Sequence, residues 1–197
     1  MGDDTELLAR LRAGDEGAFV ALVEQYHTSM VRLASTFVPN RAVAEEVAQD
    51  AWLGVLRGLD SFEGRASLRT WLFRILVNRA RSTGVREHRS VPAAMVDEPA
   101  VDPRRFASDG HWVEPPVPWT EEVESRLAAA DTVERIRTLI EELPPLQRQV
   151  ITLRDMEGLG AGEVCDILQI SEGNQRVLLH RARSRVRRIL ADELGKD

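Results

Sequence analysis

The sequence predicts an all-α protein: two small helical domains joined by a flexible, acidic, proline-rich linker. Three observations predict it. Apolar residues recur at three- and four-residue spacing through residues 1–90 and 120–197, the rhythm of helices with one buried side. Six of the nine prolines fall between residues 91 and 119, a stretch read as extended or disordered. The chain closes with a short helix, a tight turn and a long basic helix, the pattern of a helix-turn-helix.

The first domain reads as helices throughout. Thr5 to Ala13 forms a short one, stopped at Gly14. Asp15 caps a longer one in which Phe19, Leu22, Val23, Tyr26, Met30, Leu33, Ala34 and Phe37 keep helical spacing until Pro39. Asn40 caps the next, which runs to about Leu59. Its apolar side carries Val43, Val47, Ala51, Trp52, Val55 and Leu59. Its opposite side carries Glu45, Glu46, Gln49 and Asp50. Such a compact acidic patch is either a solvated face or a docking surface for a basic partner. A loop, Asp60 to Ala66, presents Phe62. Ser67 then caps a helix to Arg81, with Leu68, Leu72, Phe73, Ile75 and Leu76 inward and Trp71, Arg74, Asn78 and Arg81 outward. From Arg65 to Arg89 there are seven arginines and one acid, Glu87. An aromatic among arginines and an amide suits a strand with exposed bases: the ring stacks, guanidiniums hold phosphate, the amide reads an edge. A tryptophan at the rim of a core is the plainer alternative.

The linker carries Trp112 and Trp119, unusual there and suggestive of a docked segment. In the second domain Thr120 opens a helix with an apolar stripe of Val123, Leu127, Val133, Ile136 and Ile140. Leu143-Pro144-Pro145 stops it, and Leu146 to Met156 forms the next. The segment from Gly158 to Leu168 reads as a short helix, and Gln169-Ile170 as the tight turn, without the usual glycine. In the helix capped by Ser171, Leu178, Leu179, Ala182, Val186, Ile189 and Leu190 form one side. Gly173, Arg176, Val177, His180, Arg181 and Ser184 form the other, extended by Arg187 and Arg188. Six arginines stand on this stretch against one acid, Glu172. A narrow apolar seam with an arginine-rich outer face suits a major groove with phosphate walls; a basic face that is merely solvated is the alternative.

Composition narrows the function. At 197 residues the chain suits one large or two small domains. The net charge of −6 argues against DNA at first sight. Its distribution reverses that. Residues 1–92 hold 12 basic and 12 acidic side chains, residues 93–127 hold 3 and 8, and residues 128–197 hold 11 and 12. The excess acid lies in the middle, and clustered arginines set the local potential. Lys196 is the one lysine; arginine's planar fork suits phosphate and guanine edges. No apolar run approaches a membrane span, the start is acidic where a secretory signal is basic, and the expected location is the cytoplasm. Cys165 alone excludes an internal disulfide framework and reads as a small packing residue. His27, His88, His111 and His180 are scattered, and no phosphate-cradling glycine loop or metal-ligand cluster is present, so neither an enzyme nor a bound cofactor or metal is expected.

The chain resembles the extracytoplasmic-function group of bacterial sigma factors, in the sigma-70 family. The carriers are Ala44 to Trp52, Phe62 to Asn78, Leu143 to Arg148, and Ser171-Glu-Gly through His180-Arg-Ala-Arg183, in order and correctly spaced over nearly the whole chain. The resemblance implies a region 2 domain at 1–90, a linker at 91–119 and a region 4 domain at 120–197. Glu45, Glu46, Gln49, Asp50 and Trp52 would dock on core RNA polymerase. Phe62, Arg65, Arg69, Trp71, Arg74, Asn78 and Arg81 would melt the minus-ten element and capture an unstacked base. Ser171, Asn174, Arg176, His180, Arg181 and Arg183 would read or anchor the minus-thirty-five element. Core polymerase and promoter DNA are the implied partners, with an anti-sigma factor or other regulatory protein expected and no membrane insertion. The acidic linker would lie along the path of nascent RNA. The chain departs from the family at Ser82, where an acid is common, at Gly84, at Gly160, where a serine or threonine cap is usual, and at Asn174-Gln175, where Gln175 falls toward the apolar seam. The rival readings are a repressor or activator using the same helix-turn-helix, and an inert helical adaptor. The first would lack a sensor or dimerisation module and leave the arginine-tryptophan face without a task.

Overall fold

The computed structural model describes the backbone of residues 2–88 and 130–194, and the side chains of residues 5–84 and 133–193. Every regular element among them is helical. The expected linker, with Trp112 and Trp119, and the expected helix start at Thr120 lie outside the described residues. The helices form two compact bodies.

In the first body α1 is Gly2–Arg12, α2 Glu16–Ala34 and α3 Arg41–Gly58. A 3₁₀ turn, Leu59–Ser61, continues α3, and α4 is Leu68–His88. The caps fall where the sequence places them. Asp15 accepts from the Ala18 N–H at 3.0 Å, Asn40 from Val43 at 3.0 Å and Ser67 from Thr70 at 3.1 Å. Each such cap contributes about 1 kcal/mol. The Ala18 N–H, then Arg10, hold the Asp15 carboxyl below the usual aspartate range. The α2 helix stops at Ala34, short of the expected Pro39. Ser35 Oγ donates to Val31 O at 2.9 Å and Thr36 Oγ1 to Leu33 O at 2.7 Å, so side chains take the last carbonyls.

The α4 helix instead runs past its expected end at Arg81, straight through Gly84. A Cβ at that position would sit 2.8 Å from the carbonyl oxygen of Phe37. The glycine costs the helix about 1 kcal/mol in propensity and permits backbone to approach backbone. The α3 helix packs against both α2 and α4. Leu22, Met30, Leu33, Val47, Val55, Leu72, Phe73 and Leu76 fill the core, each large apolar side chain contributing roughly 1.5–3 kcal/mol on burial.

In the second body α5 is Ala130–Glu141 and α6 is Pro145–Ile151, with Pro145 at its first position, where its missing N–H costs nothing. The expected continuous helix to Met156 changes to a π turn at Thr152–Met156, and the Glu157 N–H reaches back five residues to Thr152 O at 2.9 Å. The α7 helix is Ala161–Leu168, three residues shorter at its start than expected, and α8 is Glu172–Leu194. Leu178, Leu179, Ala182, Val186 and Leu190 are buried as the periodicity predicts; Ile189 is half-buried. The α8 helix packs on α5 and α6, and Arg135 of α5 clasps Glu193 near its end with bonds of 3.0 and 2.5 Å.

Candidate nucleic-acid interface

The first surface is a pocket on α4. Trp71, Arg74, Ile75 and Asn78 recur at three- and four-residue spacing and so share one side of the helix. With Ser61, Phe62, Glu63, Arg65 and Ala66 from the preceding loop they line a recess of about 250 Å³. The rings of Phe62 and Trp71 meet at 4.8 Å, tilted by 40°. The Trp71 ring rests against the α3 backbone: a Cβ at Gly58 would lie 3.0 Å from its edge. The walls thus offer two aromatic rings, two guanidiniums and an amide, enough to stack one planar ring, read its edge and hold neighbouring phosphates.

Five of the seven residues expected for this surface line the pocket: Phe62, Arg65, Trp71, Arg74 and Asn78. Arg65 pairs with Glu63 at 2.8 Å. The other two of the seven do not line the pocket. Arg69 precedes Trp71 by two residues, so it points to the far side, where its guanidinium lies 5.8 Å from the Phe73 ring centroid. Arg81 stands a turn beyond Asn78 and does not line the pocket. Ile75, expected in the core, is half-buried and lines the pocket. Its position four after Trp71 was the available signal.

Sequence reasoning missed Arg12. From the last turn of α1 its Nε donates to Leu59 O at 3.1 Å and its Nη2 to Phe62 O at 2.6 Å. Backbone carbonyls 47 and 50 residues away leave no trace in the local pattern.

The second surface is the outer side of α3. Glu46, Gln49 and Asp50 are exposed, and Glu45 is half-buried and paired with Arg41 at 2.9 Å. Trp52 is not part of it: only 7% exposed, it stacks edge-on against Phe19 and donates its indole N–H to His27 Nδ1 at 3.3 Å. It supports the helix from inside. Leu53 and Leu56 are exposed instead, adding apolar area beside the acids.

The third surface is α8. The turn before it is a Schellman closure of α7: the Ile170 N–H donates to Cys165 O at 3.2 Å, with Gln169 at φ +55° in the position usually held by glycine. Glu163 supplies the missing α7 cap, accepting from the Gly160 N–H at 2.8 Å. Ser171 accepts from the Asn174 N–H at 3.3 Å and starts α8. Asn174, Arg176, Arg187 and Arg188 are exposed; His180 and Arg181 are half-buried. Gln175 is buried, as its phase predicts. Arg183 is exposed and paired: its Nε and Nη2 donate to Asp155 at 2.8 and 2.6 Å, which partly balances its charge. Those bonds raise its pKa. Burial, then Arg187 and Arg183, push His180 down to about 4, so its ring is neutral at pH 7, with Nε2 3.2 Å from Ser184 Oγ.

Among the described residues no three His, Cys, Asp or Glu side chains gather to hold a metal, and no helix is long and apolar enough to cross a membrane.

Residues 22–90 match the family described as Sigma-70 region 2, and residues 133–186 match Sigma-70, region 4. The chain is 34% identical over 183 residues to the ECF RNA polymerase sigma-E factor of Escherichia coli K12, covering 93% of this chain and 92% of that one. It is 32% identical over 190 residues to the RNA polymerase sigma-H factor of Pseudomonas aeruginosa, covering 95% and 93%. Among solved structures, the sigma factor RpoE in complex with the anti-sigma factor NepR from Bartonella quintana shares the fold, with a TM-score of 0.61 at 21% identity over 87% of this chain and 96% of that one.

Proposed function

The chain belongs to the extracytoplasmic-function group of the sigma-70 family and directs promoter-specific transcription initiation as an RNA polymerase sigma factor; from that premise we propose how its surfaces divide the work. The pocket around Trp71 captures a base unstacked from the minus-ten element: Phe62 and Trp71 stack it, Asn78 reads its edge, and Arg74 and Arg65 hold the flanking phosphates. Unstacking one base costs a few kcal/mol. Stacking on an aromatic returns about 1–3 kcal/mol per base, and the arginines add the remainder. The exposed Glu46, Gln49 and Asp50, with Glu45, dock on a basic surface of core polymerase. The α8 helix enters the major groove of the minus-thirty-five element, with Asn174 and Arg176 at the base edges, and His180, Arg181, Arg187 and Arg188 along the phosphates.

The observation that carries this reading is the joining of Phe62, Trp71, Arg74 and Asn78 into one recess. A repressor or activator with the same helix-turn-helix has no use for it. The chain acts in the cytoplasm, as a specificity subunit, and leaves the chemistry of RNA synthesis to core polymerase. An anti-sigma factor holding it in check is the expected regulator, by likeness to the complex of RpoE with NepR.

In-vitro transcription tests the proposal. The purified chain is added to bacterial core polymerase and a random pool of promoter fragments. Transcripts that start at fixed points only when the chain is present support it, and sequencing those fragments yields both elements. Tight duplex binding by the chain alone, without stimulated transcription, would transfer the reading to a repressor or activator.

A further inference from the structure

We propose that Arg12, on α1, is a positioning residue for promoter melting: its guanidinium sets the Phe62 backbone so that the ring can close the aromatic wall of the pocket. The inference rests on the base-capture reading above. It concerns a residue outside the matched region 2 segment, which begins at residue 22.

The loop between α3 and α4 carries Phe62, yet little of its own chemistry fixes it. The Phe62 N–H reaches Leu59 O at 3.3 Å, a long bond. Ser61 Oγ donates to Gly58 O at 2.9 Å, one residue before the turn. Beyond Phe62 the chain passes through Glu63 and Gly64, both exposed. Arg12 bridges the two carbonyls that bracket the turn, Leu59 O at 3.1 Å and Phe62 O at 2.6 Å. A planar guanidinium that donates to both ends of a turn fixes the distance between them, which a single point charge cannot do. The Phe62 Cα is thereby held where its ring meets Trp71 at 4.8 Å. Trp71 needs no such help, since it stands on a regular helix and rests against Gly58. Of the two aromatic walls, one stands on the helix and the other hangs from a loop pinned by Arg12. The arginine itself touches no DNA; it acts through Phe62.

The test is a double-mutant cycle with holoenzyme assembled from core polymerase and the full chain. The probe is a fork-junction fragment of a promoter selected from the random pool, with the downstream-element strand unpaired. Arg12→Ala is expected to weaken fork-junction binding about fivefold, consistent with losing charge-assisted hydrogen bonds at a partly exposed site. Arg12→Lys should fall between it and the parent. Phe62→Ala should weaken binding by a similar or larger factor. Adding Arg12→Ala to Phe62→Ala should cost nothing further, and a duplex upstream-element fragment should bind all variants equally. Additive losses, or a loss on the upstream fragment too, would show that Arg12 supports the body in general and would overturn the inference. No effect of Arg12→Ala where Phe62→Ala is damaging would overturn it as well. If Phe62→Ala itself leaves fork-junction binding unchanged, the base-capture reading fails, and this inference fails with it.

Discussion

Asp155, in the π turn that succeeds α6, grips the guanidinium of Arg183 on α8 through two hydrogen bonds of 2.6 and 2.8 Å. The pair ties α8 to the element before the helix-turn-helix. Its side chains, Arg183 and Asp155, are 44% and 32% exposed, so its contribution is modest, about 0.5–1 kcal/mol. Asp155→Ala and Arg183→Ala should each lower unfolding free energy by that amount. The double variant should lose no more than either single one. Urea denaturation of all four proteins checks this; independent, summed losses would mean that the two groups do not act as a pair.

The same pair predicts unequal roles for two arginines that the sequence presents as equals. Removing an arginine that neutralises a DNA phosphate lowers the slope of log K against log salt by about one. Arg188→Ala, at an exposed position on α8, should do so on upstream-element duplex. Arg183→Ala should change the slope by much less, because Asp155 already balances its charge. Titrations between about 50 and 200 mM salt distinguish them.

His180 makes part of the stability depend on pH. Burial and neighbouring arginines lower its pKa from 6.5 to about 4 in the fold, so the unfolded chain binds the extra proton between those values. Stability therefore rises with pH across that window and is level above it with respect to this group. The ring is partly exposed, and solvent screening reduces the effect. His180→Gln should flatten the rise between about pH 4 and 6.5. Thermal midpoints measured across that range for both proteins decide it; an unchanged profile would assign the slope to other groups.

Gly84 offers a test in which propensity and packing disagree. Alanine is the better helix former by about 1 kcal/mol, yet its methyl would stand 2.8 Å from the Phe37 carbonyl oxygen. Gly84→Ala is expected to destabilise the first body by about 1–3 kcal/mol, because relief requires backbone to shift. A gain in the denaturation midpoint would show that the approach is slack.

The helices, and those of their starts that carry a side-chain cap, were legible because caps and apolar spacing are local signals. Asp15, Asn40, Ser67 and Ser171 all bond where the sequence places them. Helix ends were less legible. The end of α2 depends on Ser35 and Thr36 turning back onto carbonyls, and the extension of α4 depends on a contact between residues 47 positions apart. The pocket was half legible: its helical side follows from the spacing of Trp71, Arg74 and Asn78. Arg69 was assigned by family likeness and not by phase, and its guanidinium lies 5.8 Å from the Phe73 ring centroid, away from the pocket. Trp52 was assigned both to the apolar side and to the docking surface, and burial decides for the first. Arg183 could not be told from its neighbours, since Asp155 lies 28 residues away.

The π turn at Thr152–Met156 makes segment length, more than composition, the thing that must be kept. A π turn holds one residue more than an α-turn, the form that a single insertion takes inside a helix. Each residue carries a rotation of about 100°, so deleting Thr152, Leu153 or Arg154 would swing Asp155 by roughly that angle relative to α6. Asp155 would then face away from Arg183 although every remaining side chain was intact. Variation among relatives should therefore fall on residue identity in this stretch, while a change in its length should be tolerated only together with a new partner for Arg183.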